Sequence, residues 1–347
     1  MNLHNLLLIG MIPLVLYSCR NHTADKSLAK DSPESRQVTA CDSVNLETYG
    51  ILSPLYLAAG DDSLWIAGEG TSSSMLFLLT DRGELVAKGV HIGNGPGEVL
   101  EVTSLHRVRN RTYLYDGRGG KVCEVQRRDT VLYAVPLDMQ KRLCDDLIPL
   151  SDNAYLVLPV TQAYSYALAD KNGKLTDSLS YYPAKPDGVS DFTHALACVG
   201  TLAVEENGKH FARALAYDGG IDFFGVDNGR LCHISRYERF GMDYDVLDVG
   251  QQVPTLSPTT RVGFSDPAVS TRRYYVLYSE ELAVDNPTKE TCTVCSFDME
   301  GRPLCLYQLD RRISAMTVMP DEDLLLAIGH ATEQEESVYL FTYDINE

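Results

Sequence analysis

The sequence predicts an all-β protein: a six-bladed β-propeller of four-stranded antiparallel blades, its ring closed by an N-terminal strand. Three observations predict it. A strand, a polar turn and a second strand recur along the body. The recurring turns fall at positions 83, 129, 173, 229 and 301, spaced 46, 44, 56 and 72 residues apart. No amphipathic helix of any length interrupts them. A unit of roughly 40–50 residues carrying four strands is what a propeller blade requires.

The first turn lies in residues 75–86, where Asp81-Arg82-Gly83 separates two apolar runs. Copies follow at 166–175 with Asn172-Gly173, at 223–231 with Asn228-Gly229 and at 294–304 with Glu300-Gly301. Glycine paired with a polar residue between alternating runs is the strongest short-range hairpin signal. A glycine-free copy occupies 125–131 around Asp129. A second polar turn leads into a strand at 61–67, 110–115, 151–157 and 320–326, so each unit holds four strands in up-and-down order. The widest gap fits an insertion at 239–261, in which 246–253 reads as a short turn. Residues 312–344 make a sixth unit with three strands. Residues 41–47 are expected to supply its fourth, which joins the chain ends and protects sheet edges. A parallel β-helix would repeat in shorter coils, and a sandwich would lack the four-strand period.

Ahead of this body, residues 6–16 are almost wholly apolar, the length of a signal-peptide core and too short to span a bilayer. The run ends in Leu16-Tyr17-Ser18-Cys19, which resembles the bacterial lipobox. The resemblance implies a diacylglyceryl group on the Cys19 thiol and acylation of the freed amine, several chains together giving stable anchoring. Residues 20–40 are polar and lack aromatics, the composition of a tether. The expected organisation is therefore a lipoprotein signal peptide over 1–18, a flexible tether over 19–40 and the propeller over 41–347.

Composition is that of an ordinary globular chain, 44% hydrophobic and 22% charged. Twenty tyrosines against one tryptophan, Trp65, lean towards β structure. The formal charge of −18 weighs against nucleic acid and anionic membrane surfaces as partners, since phosphates are repelled. Contact with the membrane is expected through the anchor alone, and the chain is expected to be a monomer.

Gly93-Asn94-Gly95-Pro96-Gly97-Glu98 has the look of a phosphate loop but not its chemistry. A dinucleotide fingerprint needs G-x-G-x-x-G leading into a helix. Here the spacing is G-x-G-x-G, Pro96 lacks the amide a phosphate would use, and no helix follows. The segment reads as a corner: Pro96 stops an outer strand, the glycines at 93, 95 and 97 let the chain reverse, and the Glu98 carboxylate accepts amide hydrogen bonds. Asp116-Gly117-Arg118-Gly119-Gly120 reads as an Asx turn.

Eight cysteines follow Cys19. Cys292-Thr293-Val294-Cys295 has redox or zinc spacing, but strand alternation sends positions three apart to opposite faces, and no second pair or nearby histidine completes a site. Cys295 and Cys305 flank a turn and are the pair for which a disulfide across a hairpin is considered. Buried free thiols are the expectation for the rest.

Ile92 to Glu98, after the first Asp-x-Gly hairpin of a lipobox-bearing chain, resembles the TolB-like six-bladed propeller lipoproteins from residue 45 onward. The resemblance implies a cell-envelope protein with a ligand- or partner-binding role and supplies no catalytic residues. The expected function is an exported, lipid-anchored, non-catalytic binding or scaffold module recognising an envelope protein, peptide or glycan, with no cofactor. The competing expectation is a metal-dependent hydrolase or lyase, lactonase-like, holding calcium in the channel through convergent oxygens. Asp61, Asp62, Asp145, Asp146, Asp266 and Glu280 lie near blade starts or loops and are its candidates. The histidines at 91, 106, 194, 210, 233 and 330 form no metal pair, and no G-x-S-x-G nucleophile elbow occurs. The sequence therefore assigns no catalytic, cofactor-binding or metal residue.

Overall fold

The structure, a computed structural model, describes residues 34–71, 73–138, 144–159, 164–332 and 336–346. Both faces of a blade pack on neighbouring blades, so its middle strands are buried at consecutive positions, as over 74–79 and Tyr166–Ala169. Two short strands come first, β1 (Glu34–Val38) and β2 (Asp42–Asn45). Blade 1 is then β3 (Ile51–Gly60), β4 (Ser63–Gly70), β5 (Ser74–Thr80) and β6 (Leu85–His91). Blade 2 is β7 (Val102–Val108), β8 (Arg111–Asp116), β9 (Lys121–Arg128) and β10 (Val131–Pro136). Blade 3 is β11 (Asp146–Ser151), β12 (Ala154–Leu158), β13 (Tyr166–Ala169) and β14 (Leu175–Leu179). Blade 4 is β15 (Gly200–Val204), β16 (His210–Leu215), β17 (Gly220–Asp227) and β18 (Arg230–Glu238).

The insertion expected at 239–261 is a hairpin of β19 (Asp245–Asp248) and β20 (Gln252–Thr255), so residues 246–253 hold two paired strand ends and the bend between them, not a turn of helix. Blade 5 follows as β21 (Arg261–Val269), β22 (Arg273–Leu282), β23 (Thr291–Asp298) and the first half of β24 (Pro303–Val318). The second half of β24 opens blade 6, which continues through β25 (Leu324–His330) and β26 (Val338–Asp344). Its outer strand is β2, antiparallel to β26 with Val44 opposite Leu340. Residues from the start of the domain thus complete the last blade, as the three-strand sixth unit requires.

The repeating turns at 83, 129, 173, 229 and 301 all join the third and fourth strands of a blade. In the copy that lacks glycine, Asp129 itself takes the left-handed conformation, φ 54°. Two elements were not foreseen. β1 adds a fifth, parallel strand to the outer edge of blade 5, Glu34 opposite Cys305. A short helix, α1 (Asp191–Ala197), lies between blades 3 and 4, its N-terminus capped by the Ser190 side chain accepting from the Thr193 amide at 3.1 Å. Gln252 of the inserted hairpin ties to this helix, its side chain accepting from Ser190 N at 2.8 Å and its carbonyl accepting from the Thr193 hydroxyl at 3.0 Å.

Five buried clusters lie in the seams between blades. The last of them joins Leu46, Ile51, Ile66 and Phe77 near the start of the chain to Leu326, Ile328 and Leu340 at its end. Burial here follows closure of the ring, because no blade covers both of its own faces. Blade 1 also meets blade 2 by a parallel pairing of β6 with β10, where Gly89 is required: a Cβ there would sit 2.0 Å from the Leu132 carbonyl oxygen.

Pairing decides the cysteines. Cys295 stands opposite Leu306, and Cys305 opposite Ser296. The two thiols therefore point to opposite faces of blade 5, Cys295 into the seam with blade 4 and Cys305 into the seam with blade 6. The hairpin disulfide considered for them is corrected by this one-residue offset, and both are free. Cys292 and Cys295 likewise face different seams.

Candidate functional site

The first strand of every blade is the innermost, and the six together enclose a cavity of about 530 Å³ on the ring axis. Antiparallel order puts the turns between first and second strands at one end of it and the blade-to-blade linkers at the other. The turn end is drawn together across the axis. Arg109 N donates to Glu206 O at 2.7 Å and Asn110 N to Glu206 Oε1 at 3.0 Å, linking blades 2 and 4 past blade 3. Arg107 Nη2 donates to Asn110 Oδ1 at 3.1 Å, and its guanidinium lies over Gly60 of blade 1, where a Cβ would be 2.6 Å from Cζ.

The wall is polar and acidic. Asp145 and Asp146 enter at the start of β11, Ser104 and His106 from β7, Tyr56 from β3, Thr201 from β15, Asp266 from β21 and Thr317 from β24. Asp146 is saturated: Oδ1 accepts from the Ser104 hydroxyl at 2.6 Å and the Leu147 amide at 2.8 Å, and Oδ2 lies 2.7 Å from His106 Nε2. Asp145 pairs with the buried Arg213 of β16 at 2.8 Å. Burial pushes the Asp145 carboxyl above the usual carboxylate range, with Arg213 pulling it down and Asp146 pushing it further up.

Asp266 differs from both. It sits in a bulge of β21, between the pairings of Ser265 and Ala268, at φ 45°. Its own amide donates to Thr201 Oγ1 at 3.1 Å, and its Oδ2 accepts from the Met316 amide at 2.6 Å. Desolvation inside the ring pushes this carboxyl up to about 7, against the pull of the Met316 amide. The Tyr56 phenol is raised first by burial, then by the negative charges of Asp146, Glu101, Asp145 and Asp266. Groups from blades 1, 3 and 5 therefore meet in one space.

Of the six candidate carboxylates, Asp145, Asp146 and Asp266 reach the channel. Asp61 and Asp62 form the exposed turn of blade 1, and Glu280 accepts from the Tyr278 hydroxyl on β22. His106 alone of the six candidate histidines lines the cavity. Among the described residues, no three His, Cys, Asp or Glu groups lie close enough to hold a metal ion. Periodicity could not find Thr317, because nothing in the local sequence marks which end of a long strand faces the axis.

Gly93, Gly95, Pro96, Gly97 and Glu98 lie between β6 and β7, away from the cavity. Gly97 takes φ 80°, and the Gly95 amide donates to Glu98 Oε2 at 2.7 Å. A Cβ at Gly93 would stand 2.1 Å from that same oxygen. The chain's own carboxylate occupies the space a bound phosphate would need. Asp116, wholly buried, accepts from the Gly119 amide at 2.8 Å and from the Leu100 amide at 3.0 Å, tying the corner to the turn of blade 2. Arg118 is exposed in that turn. Cys19 lies outside the described residues.

Among curated proteins none matches this chain. Among solved structures it is similar to the Swd1 β-propeller domain of Myceliophteria thermophila, at 11% identity and TM-score 0.49, covering 89% of this chain and all of that one. It is also similar to a putative exported protein of Bacteroides fragilis, at 13% identity and TM-score 0.45, covering 90% of this chain and all of that one. The family described as TolB-like 6-blade propeller-like matches residues 30–322. With six four-stranded blades, an N-terminal closing strand and a match over most of its length, this chain belongs to the TolB-like six-bladed propeller family.

Proposed function

We propose that the protein is an exported, lipid-anchored binding module of the bacterial cell envelope that takes an envelope peptide, glycan or segment of protein into the linker end of its channel. The observation that carries this reading is the cavity itself. All six inner strands bring polar groups to it, and its volume falls within the range of ligand pockets. Stacked blades hold the walls rigid while linkers vary, so recognition is separable from the core. At the opposite end Glu206 is tied to Arg109 and Asn110, which favours the linker end as the approach. Anchoring rests on the leader and Cys19, and on the polar tether that follows them.

Thr201, exposed on the channel wall, is the residue to enlarge, since a bulky side chain there fills space without entering a seam. Thermal unfolding of the domain against a panel of oligopeptides and envelope saccharides is expected to show compounds that raise Tm for the native chain and not for Thr201→Trp. Compounds that stabilise both equally would put recognition elsewhere on the ring. For the anchor, Cys19→Ala is expected to lose labelling by radioactive palmitate and to move from the membrane to the soluble fraction. Persistent labelling would remove lipidation from the reading.

A further inference from the structure

The acids of the channel are not equivalent, and the difference points to a ligand class. Both oxygens of Asp146 are used by the protein, and Asp145 has Arg213. Asp266 has one backbone amide and, among the described residues, no Lys, Arg or His within ion-pair distance. Thr317, on the same wall, is only 6% exposed and lines the cavity, yet its hydroxyl makes no hydrogen bond among the described residues. Polar groups that line a cavity are completed by whatever fills it, so an open hydroxyl and an unpaired carboxylate lining one space mark where an outside group can bond.

Resting on the channel being the recognition site, we propose that it receives a cationic head group, a primary ammonium or guanidinium, with Asp266 as counter-ion and Thr317 as hydrogen-bond acceptor. The charges facing this space set the sign. Asp145, Asp146 and Asp266 are acids on its wall, with Glu206 at the floor. Of the cations near it, Arg213 pairs with Asp145 and the His106 ring with Asp146, while Arg107 bonds the neutral Asn110 at the turn end and lies across Gly60. An anionic ligand would meet three acids along the wall, and the cation that faces the cavity without an acidic partner among the described residues, Arg107, stands at the turn end. A neutral one would leave Asp266 unpaired. An ammonium or guanidinium supplies only donors, which is what an open carboxylate and an open hydroxyl accept.

The raised Asp266 carboxyl gives the test a second readout. A cation favours its charged form, so binding just below neutrality releases a proton. Calorimetric titration at pH 6.5 with 1,5-diaminopentane and with agmatine, in buffers of differing ionisation enthalpy, is expected to show binding with release of roughly half to one proton per ligand. Neutral 1-pentanol is expected not to bind. Asp266→Asn is expected to weaken both amines at least tenfold and to abolish the proton release, and Thr317→Val to weaken them a few-fold with the release retained. Equal binding to Asp266→Asn, or equal binding of the alcohol, overturns the assignment. If neither amine binds while a neutral saccharide or peptide stabilises the native chain and not Thr201→Trp, the cationic assignment falls and recognition by the channel stands.

Discussion

Arg236→Ala is expected to destabilise the domain by about 3–5 kcal/mol, the usual cost of stripping one partner from a buried ion cluster. Arg236 of β18 reaches Asp218 at 2.5 Å, Asp222 at 2.6 Å and Glu238 at 2.6 Å. Asp218 and Asp222 have almost no solvent contact, so removing the guanidinium leaves two carboxylates uncompensated within blade 4. His233 cannot replace it: it lies 3.2 Å from Asp222, stacks on Tyr181 and does not reach Asp218 among the contacts of that cluster. Burial already pushes the Asp218 carboxyl above its ordinary value, with Arg236 pulling it down. Without Arg236 the Asp218 carboxyl titrates higher still in the folded state. The folded variant then binds protons that the unfolded chain releases, so its deficit is largest at alkaline pH and shrinks towards pH 5. Arg236→Lys keeps the charge but not the fork and should fall between. Urea unfolding at pH 5 and pH 8 checks this; an Arg236→Ala midpoint near that of the native chain at both values would refute it.

Removing residues through Asn45 is expected to abolish the single cooperative unfolding transition, whereas removing residues through Ala40 costs on the order of 1 kcal/mol or less. Among the described residues the shorter truncation loses β1, a mostly exposed edge strand, with the partly buried Val38 and Ala40 at the rim of one seam. The longer one also loses β2, and with it the pairing of Asp42 to Asn45 with β26. Val44 packs against Gly83 of blade 1, where an added Cβ would be 2.7 Å from Val44 Cγ2. The seam between blades 6 and 1 then opens beside the wholly buried Leu46, and β26 becomes an unpaired edge. Circular dichroism in urea, read for the slope as well as the midpoint, distinguishes a detached blade from a uniformly weaker ring. An unchanged slope and midpoint after the longer truncation would mean that closure does not hold the ring.

Much of the architecture was legible because its signals are local. A hairpin turn is specified within four or five residues, so Gly83, Gly173, Gly229 and Gly301 marked their blades directly, and even Asp129 stood in the right place. The corner at 93–98 was readable for the same reason: the wrong glycine spacing and Pro96 argue against phosphate without any fold in hand. Helix α1 was missed because seven residues carry too little periodicity to stand out. β1 was assigned to the tether because a polar edge strand has tether composition, and only the open edge of blade 5 gives it a partner.

The sequence by itself determined the repeat, the count of blades, the closing strand and, by resemblance, the family. Tertiary structure alone decided which side chains share the channel. Asp145, Asp146, Asp266 and Thr317 come from three different blades, and they meet only because each lies on an innermost strand at the depth where the ring encloses its channel. A pairing offset of one residue likewise separates Cys295 from Cys305. Turns are written in neighbouring residues. Convergence on an axis depends on register and radial order, which are set when six blades bury one another's faces, and no short stretch of sequence carries that information.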